Sequence, residues 1–191
     1  MTQKIAYLTI DDAPSPSLRM KTDYLHSKGI PAIFFCLGKS MEERPELVVD
    51  AIQKGFVIGN HSYDHPHFSD LPLPECYQQI ERTDQIIEHL YSQAGVRRPA
   101  RLFRFPFGDK GGLTYSNVFL PYEGEGAARK AALQNYLRQG GYIQPRFEGV
   151  TYQYFEAVSQ RRVDCRVVRL MLGLVVRLVM AFVQHDQARV R

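Results

Sequence analysis

Short apolar runs alternate with amphipathic stretches along this 191-residue chain. Apolar runs bounded by Gly or Pro predict strands, whereas apolar spacings near 3.6 residues predict helices. The predicted strands cover 5–12, 31–38, 56–60, 101–106 and 141–147, and the predicted helices cover 17–28, 45–54, 74–92 and 126–138. Strands that alternate with helices usually form a parallel sheet with helices outside, so we predict an α/β fold.

Two acidic residues end the first apolar run, and two histidines follow the third. Neighbouring side chains on a strand point to opposite sides, so one of Asp11 and Asp12 can face a metal ion while the other accepts a proton. His61 and His65 come after the 56–60 strand. Carboxylates with two histidines supply the mixed oxygen and nitrogen ligands that a catalytic divalent metal takes. The pattern predicts a metal-dependent hydrolase.

The spacing of the two histidines requires a turn. On an extended strand, positions four apart lie about 13 Å from each other, too far for one ion. On a helical turn their Cβ atoms are about 5–6 Å apart. We therefore expect the chain to turn near Asn60, after which His61 and His65 can converge. Asp11, His61 and Arg104 all lie at the exits of predicted strands, where barrel-type α/β enzymes build their sites.

Composition favours one globular domain, with 45% apolar residues and a net charge of +4. The basic charge lies in residues 158–191, where arginines alternate with Val and Leu and only Phe182 could stack on a base. Nucleic-acid binding is therefore not expected. A membrane span is not expected either, because Arg169 and Arg177 interrupt the apolar stretch.

The N-terminus has neither a basic leader nor an apolar export segment, which predicts a cytoplasmic chain as given, or a processed or excised domain. Cys36, Cys76 and Cys165 are odd in number and widely spaced, so they are expected to be buried free thiols.

Three segments occur in the order and separation of the first three motifs of a known family. They are Thr9–Pro14, His61–His65 and Arg104–Gly108. These segments resemble the polysaccharide deacetylase family, carbohydrate esterase family 4, over about residues 4–157. The resemblance implies a distorted, often incomplete (β/α) barrel, with residues 1–157 as the catalytic domain, and removal of N-acetyl or O-acetyl groups from a glycan.

The resemblance also implies roles for single residues. Asp12, His61 and His65 would bind a divalent metal, most often zinc, with cobalt or nickel as alternatives. Asp11 would be the general base, and Arg104 would orient it and keep it ionised. The backbone N–H of Phe107 would help to bind the oxyanion. Ala13 replaces the family's usual Gly, which is tolerable only if that position does not need a positive φ.

Substrate binding is expected at Tyr63, Phe105 and Pro106. The aromatic side chains at 63, 68, 105, 107 and 115 can form a rim on which sugar rings stack, with burial in the core as the alternative. The other histidines, His26, His67 and His89, are interpreted as surface or hydrogen-bonded residues.

The C-terminal segment departs from the family pattern. A late family motif, apolar residues followed by His-Asp, has its counterpart at Val183–Asp186, so His185 would be the general acid and Asp186 could orient it. A solvated terminal residue is the alternative for His185. A Trp-containing family motif has no counterpart, since the chain contains no Trp. Residues 158–191 are either a divergent unit that closes the barrel or the product of an altered reading frame.

The leading hypothesis is a hydrolase of carbon–nitrogen bonds other than peptide bonds, acting on an acetylated glycan such as chitooligosaccharide or peptidoglycan. One alternative is a glycan-binding homologue that keeps the metal site without turnover. The other is a cyclic amide hydrolase on the same fold, which ranks lower because such relatives tend to lack the full metal triad.

Overall fold

The computed structural model describes residues 8–112 and 124–143. The strands are β1 (Leu8–Ala13), β2 (Ala32–Cys36) and β3 (Val57–Asn60). The α-helices are α1 (Leu18–Ser27), α2 (Gly38–Glu43), α3 (Pro45–Gln53), α4 (Leu73–Ala94) and α5 (Gly124–Gln139). Two short 3-10 segments cover Phe68–Asp70 and Pro106–Gly108.

The three strands lie side by side in chain order, and both neighbouring pairs are parallel. Parallel neighbours need a crossover, which α1 supplies between β1 and β2, and α2 with α3 between β2 and β3. The predicted α/β alternation is confirmed for these elements. As a result, the carboxyl ends of the strands meet at one edge of the sheet.

The strand expected at 101–106 is wrong as a continuous element. The segment forms two isolated parallel bridges, Arg101 to Tyr142 and Phe103 to Asn60. Because β3 ends at Asn60, it offers no backbone partner beyond that point. The segment nevertheless lies beside β3 and continues the order of the sheet. Of the strand expected at 141–147, Tyr142 contributes its bridge, and residues 144–147 lie outside the described residues.

The four predicted helices are confirmed as α1, α3, α4 and α5, with ends shifted by one or two residues. Pro45 begins α3, where its missing N–H costs nothing, and Gly95 ends α4 with a φ of 69°. The six-residue α2 was missed, since so short a helix shows no clear period. Ser17 lies at the N-cap of α1, but its hydroxyl pairs with that of Ser15 at 3.0 Å rather than capping the helix.

Apolar side chains cover both faces of the sheet: the cluster around Phe34 includes residues of α1, α3 and α4, and the cluster around Phe35 includes Leu102. Phe34 and Phe35 are neighbours on β2, and both are fully buried in separate clusters, as expected of a parallel strand covered on both sides. Cys36 and Cys76 are buried free thiols, as predicted, and Cys165 lies outside the described residues. Among the described helices, none is both long and apolar enough to cross a bilayer.

Replacing Phe34 by Ala should lower the free energy of unfolding by about 3–5 kcal/mol, because a buried ring leaves a cavity when it is removed. The ring is fully buried and meets Phe56 edge-on at 5.4 Å. Urea denaturation followed by circular dichroism measures the loss. Met20→Ala is the control, since Met20 is 57% exposed on α1; its effect should stay within about 0.5 kcal/mol. Equal small losses for both variants would contradict this packing of β2.

Candidate metal centre

The end of β1 gives two neighbouring carboxylates different partners. The pairing of β1 with β2 becomes irregular near its end, where Asp12 has a φ of 57°. Asp11 contacts Arg104, whereas Asp12 faces the two histidines of the loop after β3. Ala13 does not adopt a positive φ, so its side chain is tolerated there.

The histidine loop turns directly after β3, as predicted from the ligand spacing. The turn is not helical: Ser62 and His65 adopt left-handed φ values of 70° and 65°. Asn60, fully buried, accepts the N–H of Ser62 on its side-chain oxygen at 2.9 Å. The ring centres of His61 and His65 lie 5.0 Å apart. The loop thus brings the two imidazoles together by another route than the expected helical turn.

Three side chains converge on one point. The Nε2 atoms of His61 and His65 lie 3.5 and 3.3 Å from Oδ1 of Asp12, and one donor atom of each residue lies within 4.8 Å of the others. Donors that bind one tetrahedral ion at about 2.1 Å are about 3.4 Å apart, so this set fits a divalent metal. Two imidazoles and one carboxylate leave further coordination positions open, as catalytic sites do.

His61 is held in the tautomer that a metal ligand needs. Its Nδ1 donates to the carbonyl oxygen of Arg104 at 2.8 Å, so the Nε2 lone pair faces the Asp12 side. The residue is 3% exposed. Burial lowers the pKa of His61, against an opposing effect of the Asp11 charge, and this favours the neutral imidazole that binds metals.

Arg104 fixes Asp11 beside the three donors. Its Nη1 donates to Oδ1 of Asp11 at 2.5 Å and to the hydroxyl of Thr9 at 3.1 Å. The guanidinium lies 4.1 Å from the ring centre of Phe35. The Arg104 side chain is 12% exposed and that of Asp11 is 39% exposed. The carboxylate is therefore anchored on one side and open to solvent on the other.

Phe107 lies over the loop with a φ of 56° in the first turn of the 3-10 segment. The leading N–H groups of such a turn have no acceptor inside it. Its ring, 62% exposed, stacks on His67 at 3.8 Å and meets the edge of His65 at 4.4 Å. The strained backbone and the stacked ring place Phe107 beside the metal donors.

Two residues near the Phe107 ring, His67 and Asp109, were not predicted as part of the site. His67 Nδ1 lies 3.6 Å from Oδ2 of the buried Asp109. That carboxylate also accepts the N–H and hydroxyl of Ser69, at 2.9 and 2.6 Å, and the N–H of Gly111 at 3.0 Å. Their positions in the sequence could have indicated this: His67 comes two residues after His65, and Asp109 directly follows the Arg104–Gly108 segment.

The expected aromatic rim is corrected at several positions. Phe105 is 1% exposed and packs edge-on against Phe68 and Phe103, so its ring belongs to the core, as does that of Phe68. Pro106 is also buried. Tyr63 is partly buried under a guanidinium, as described below. Of the rim residues, Phe107 has the exposed ring, and Tyr115 lies outside the described residues, as does His185.

The known proteins with similar sequences described below are named as deacetylases. The sequence profile described as polysaccharide deacetylase matches residues 1–119. The chain is 33% identical over 107 residues to the chitooligosaccharide deacetylase of Azorhizobium caulinodans, covering 56% of this chain and 49% of that protein. It is 36% identical over 100 residues to the peptidoglycan-N-acetylmuramic acid deacetylase PdaC of Bacillus subtilis, covering 51% of this chain and 21% of that protein. The chain thus spans about half, or less, of these relatives' lengths.

Solved structures show the same fold. The family 4 carbohydrate esterase from Streptomyces lividans, in complex with acetate, has a TM-score of 0.55 and 29% identity, covering 74% of this chain and 62% of that one. The structure of PdaC from Bacillus subtilis has a TM-score of 0.50 and 27% identity, covering 72% and 69%. The predicted fold class, α/β with a distorted or incomplete (β/α) barrel of the polysaccharide deacetylase type, is confirmed.

Replacing His61 by Ala should weaken zinc binding by at least about tenfold, because one of three protein ligands and its oriented imidazole are lost. Competition with a chromophoric zinc chelator measures the dissociation constant. His89→Ala serves as the control, since His89 is exposed on α4 and should leave the constant unchanged. Equal zinc affinity in wild type and His61→Ala would contradict ligation by His61.

Proposed function

Because this chain belongs to the polysaccharide deacetylase family, we propose that it is a metal-dependent hydrolase that removes acetyl groups from a glycan. The N-acetyl group is the main target and the O-acetyl group a further one. The observation that carries the proposal is the convergence of Asp12, His61 and His65 next to the Asp11–Arg104 pair. An ion site, a base and a cation that orients the base are parts that metal-assisted hydrolysis of an amide uses.

Asp12, His61 and His65 would hold the divalent ion, for which zinc fits best and cobalt or nickel can serve. When bound there, such an ion supplies a Lewis acid that polarises a carbonyl oxygen and makes water more acidic. The donor set itself supports this assignment, since imidazole suits zinc, cobalt and nickel alike, while a carboxylate is a common zinc ligand.

Asp11 accepts the proton of the water that attacks the acetyl carbonyl. Arg104 holds Oδ1 of the carboxylate by a charge-assisted hydrogen bond of 2.5 Å, which leaves the second oxygen to take the proton. A general base must lie within hydrogen-bond reach of the proton that it takes. The exposed face of Asp11, next to the ion donors, offers that access.

Phe107 contributes its backbone N–H to the negative charge that develops on the carbonyl oxygen. Main-chain donors in such a position stabilise an oxyanion without reorganisation. The left-handed φ of Phe107 and the stack of its ring on His67 fix the direction of that N–H. The ring beside it forms an apolar wall for the sugar.

His185 protonates the leaving amine in this proposal, and Asp186 orients it. Both lie in the segment 158–191, outside the described residues, so their role rests on the sequence pattern alone. A protonated group is needed because an amine anion is a poor leaving group.

The proposed substrate is an oligosaccharide or polysaccharide that contains N-acetylglucosamine, such as chitooligosaccharide or peptidoglycan. The names of the relatives support this class. Zinc-loaded protein should release acetate from chitooligosaccharides or peptidoglycan fragments, measured by a coupled acetate assay. Binding of these glycans without any acetate release would favour a binding role and contradict the hydrolase.

Replacing Asp11 by Asn should reduce turnover by at least about 10²-fold, because the amide cannot accept the proton from water. Zinc content should stay at the wild-type level, since Asp11 is not among the three converging donors. Acetate release and zinc analysis are measured on the same preparation. Asp23→Asn is the control: Asp23 is 57% exposed and pairs with Lys54. An unchanged rate in Asp11→Asn would remove the base role.

A further inference from the structure

The loop that carries both histidines has a conformation that its own sequence does not favour. Ser62 and His65 have φ values of 70° and 65°, in the region that suits glycine. A residue in this conformation is strained and persists only where its surroundings impose it. The loop between the two ligands must therefore be held by contacts from other elements.

The contacts come from two helices, α2 and α4, that both bind the backbone of the loop. At the start of α2, the N–H groups of Gly38 and Lys39 donate to the carbonyls of Ser62 and Tyr63, at 3.0 and 2.9 Å. A Cβ at position 38 would lie 2.6 Å from the ring of Tyr63, so the close approach requires Gly38. These two hydrogen bonds satisfy the carbonyl groups of Ser62 and Tyr63.

On α4, the side chain of Gln79 accepts two N–H groups of the loop. Oε1 of Gln79 accepts the N–H of Tyr63 at 2.8 Å and that of Asp64 at 3.2 Å. Its Nε2 donates to Oδ1 of Asp64 at 2.8 Å. Gln79 therefore makes three hydrogen bonds to two consecutive residues, and these two residues lie between the ligands.

The turn of α4 that carries Gln79 is packed against the core. Gln79 is flanked on its helix by buried residues, among them Cys76, Ile80 and Thr83. The Tyr63 side chain adds a second tie, since its hydroxyl donates to Glu42 at 2.7 Å and Arg82 covers its ring at 3.6 Å. Because Tyr63 and Asp64 are both held, the loop keeps His61 and His65 at a fixed separation.

We propose that Gln79 is a positioning residue of the metal site: by binding the backbone between the two histidine ligands, it sets their separation and so the affinity for the divalent ion. The inference rests on the proposed function, because it takes Asp12, His61 and His65 as the ion donors. Gln79 is not one of the three donors, yet its removal should change the affinity for the ion.

Gln79→Ala should weaken zinc binding by about tenfold or more, in the range found when groups behind metal ligands are removed. The dissociation constant is measured by chelator competition on the full chain. Gln78→Ala is the matched control, since Gln78 is the preceding, exposed residue of the same helix and should leave the constant unchanged. At saturating zinc, turnover of Gln79→Ala should return toward the wild-type value.

A donor–acceptor exchange separates positioning from general structure. Gln79→Glu keeps the acceptor for both N–H groups but places a carboxylate against Asp64, so it should weaken zinc binding. Combined with Asp64→Asn, the side-chain contact regains one donor and one acceptor, so the double variant should recover most of the wild-type affinity. The melting temperatures of the metal-free variants are measured alongside.

The outcomes separate this inference from the function it rests on. A wild-type chain that binds no zinc overturns both. Zinc binding that is equal in wild type, Gln79→Ala and Gln79→Glu overturns the positioning role alone. If Gln79→Ala does not fold, the exchange decides: failure of the double variant to regain affinity overturns the role, and recovery supports it.

Discussion

Arg104 joins the two halves of this site. Its carbonyl accepts the Nδ1–H of His61, and its guanidinium binds Asp11, at 2.8 and 2.5 Å. One residue thus fixes the tautomer of His61 and the position of Asp11 beside it. The ring of Phe35 beneath the guanidinium, 4.1 Å away, keeps that side chain over the sheet. A shift of the backbone at this position would therefore disturb donor and acid together.

The parallel sheet explains why residues far apart in sequence meet here. Asp11 and Asp12 lie near the end of β1, and the histidine loop follows β3. Arg104 comes one residue after the bridge that Phe103 makes to Asn60. Carboxyl ends of parallel strands lie at one edge, which is where α/β proteins place their ligands. The edge brings the residues near each other, and hydrogen bonds from α2 and α4 hold the loop that carries the two histidines.

Sequence reasoning grouped Asp12, His61 and His65 because their residue types and spacing can be read locally, and the structure brings them together. It missed the contacts that hold the histidine loop, because these join residues distant in the chain. The spacing of His61 and His65 demanded a turn, and the turn is there. Whether an aromatic ring faces a sugar or the core depends on distant neighbours, so Phe105 was wrongly placed at the rim. Gln79 gave no signal at all, since its partners lie 15 and 16 positions away in the chain. The strand at 101–106 failed because its neighbour ends early.

The central claim is that one carboxylate and two imidazoles share a single ion. X-ray absorption at the zinc K edge of the zinc-loaded chain tests it most directly. The expected spectrum contains two imidazole nitrogens at about 2.0–2.1 Å with oxygen donors at about 2.0–2.2 Å, and no sulfur. A spectrum with fewer than two imidazoles, or with sulfur at about 2.3 Å, would contradict the account.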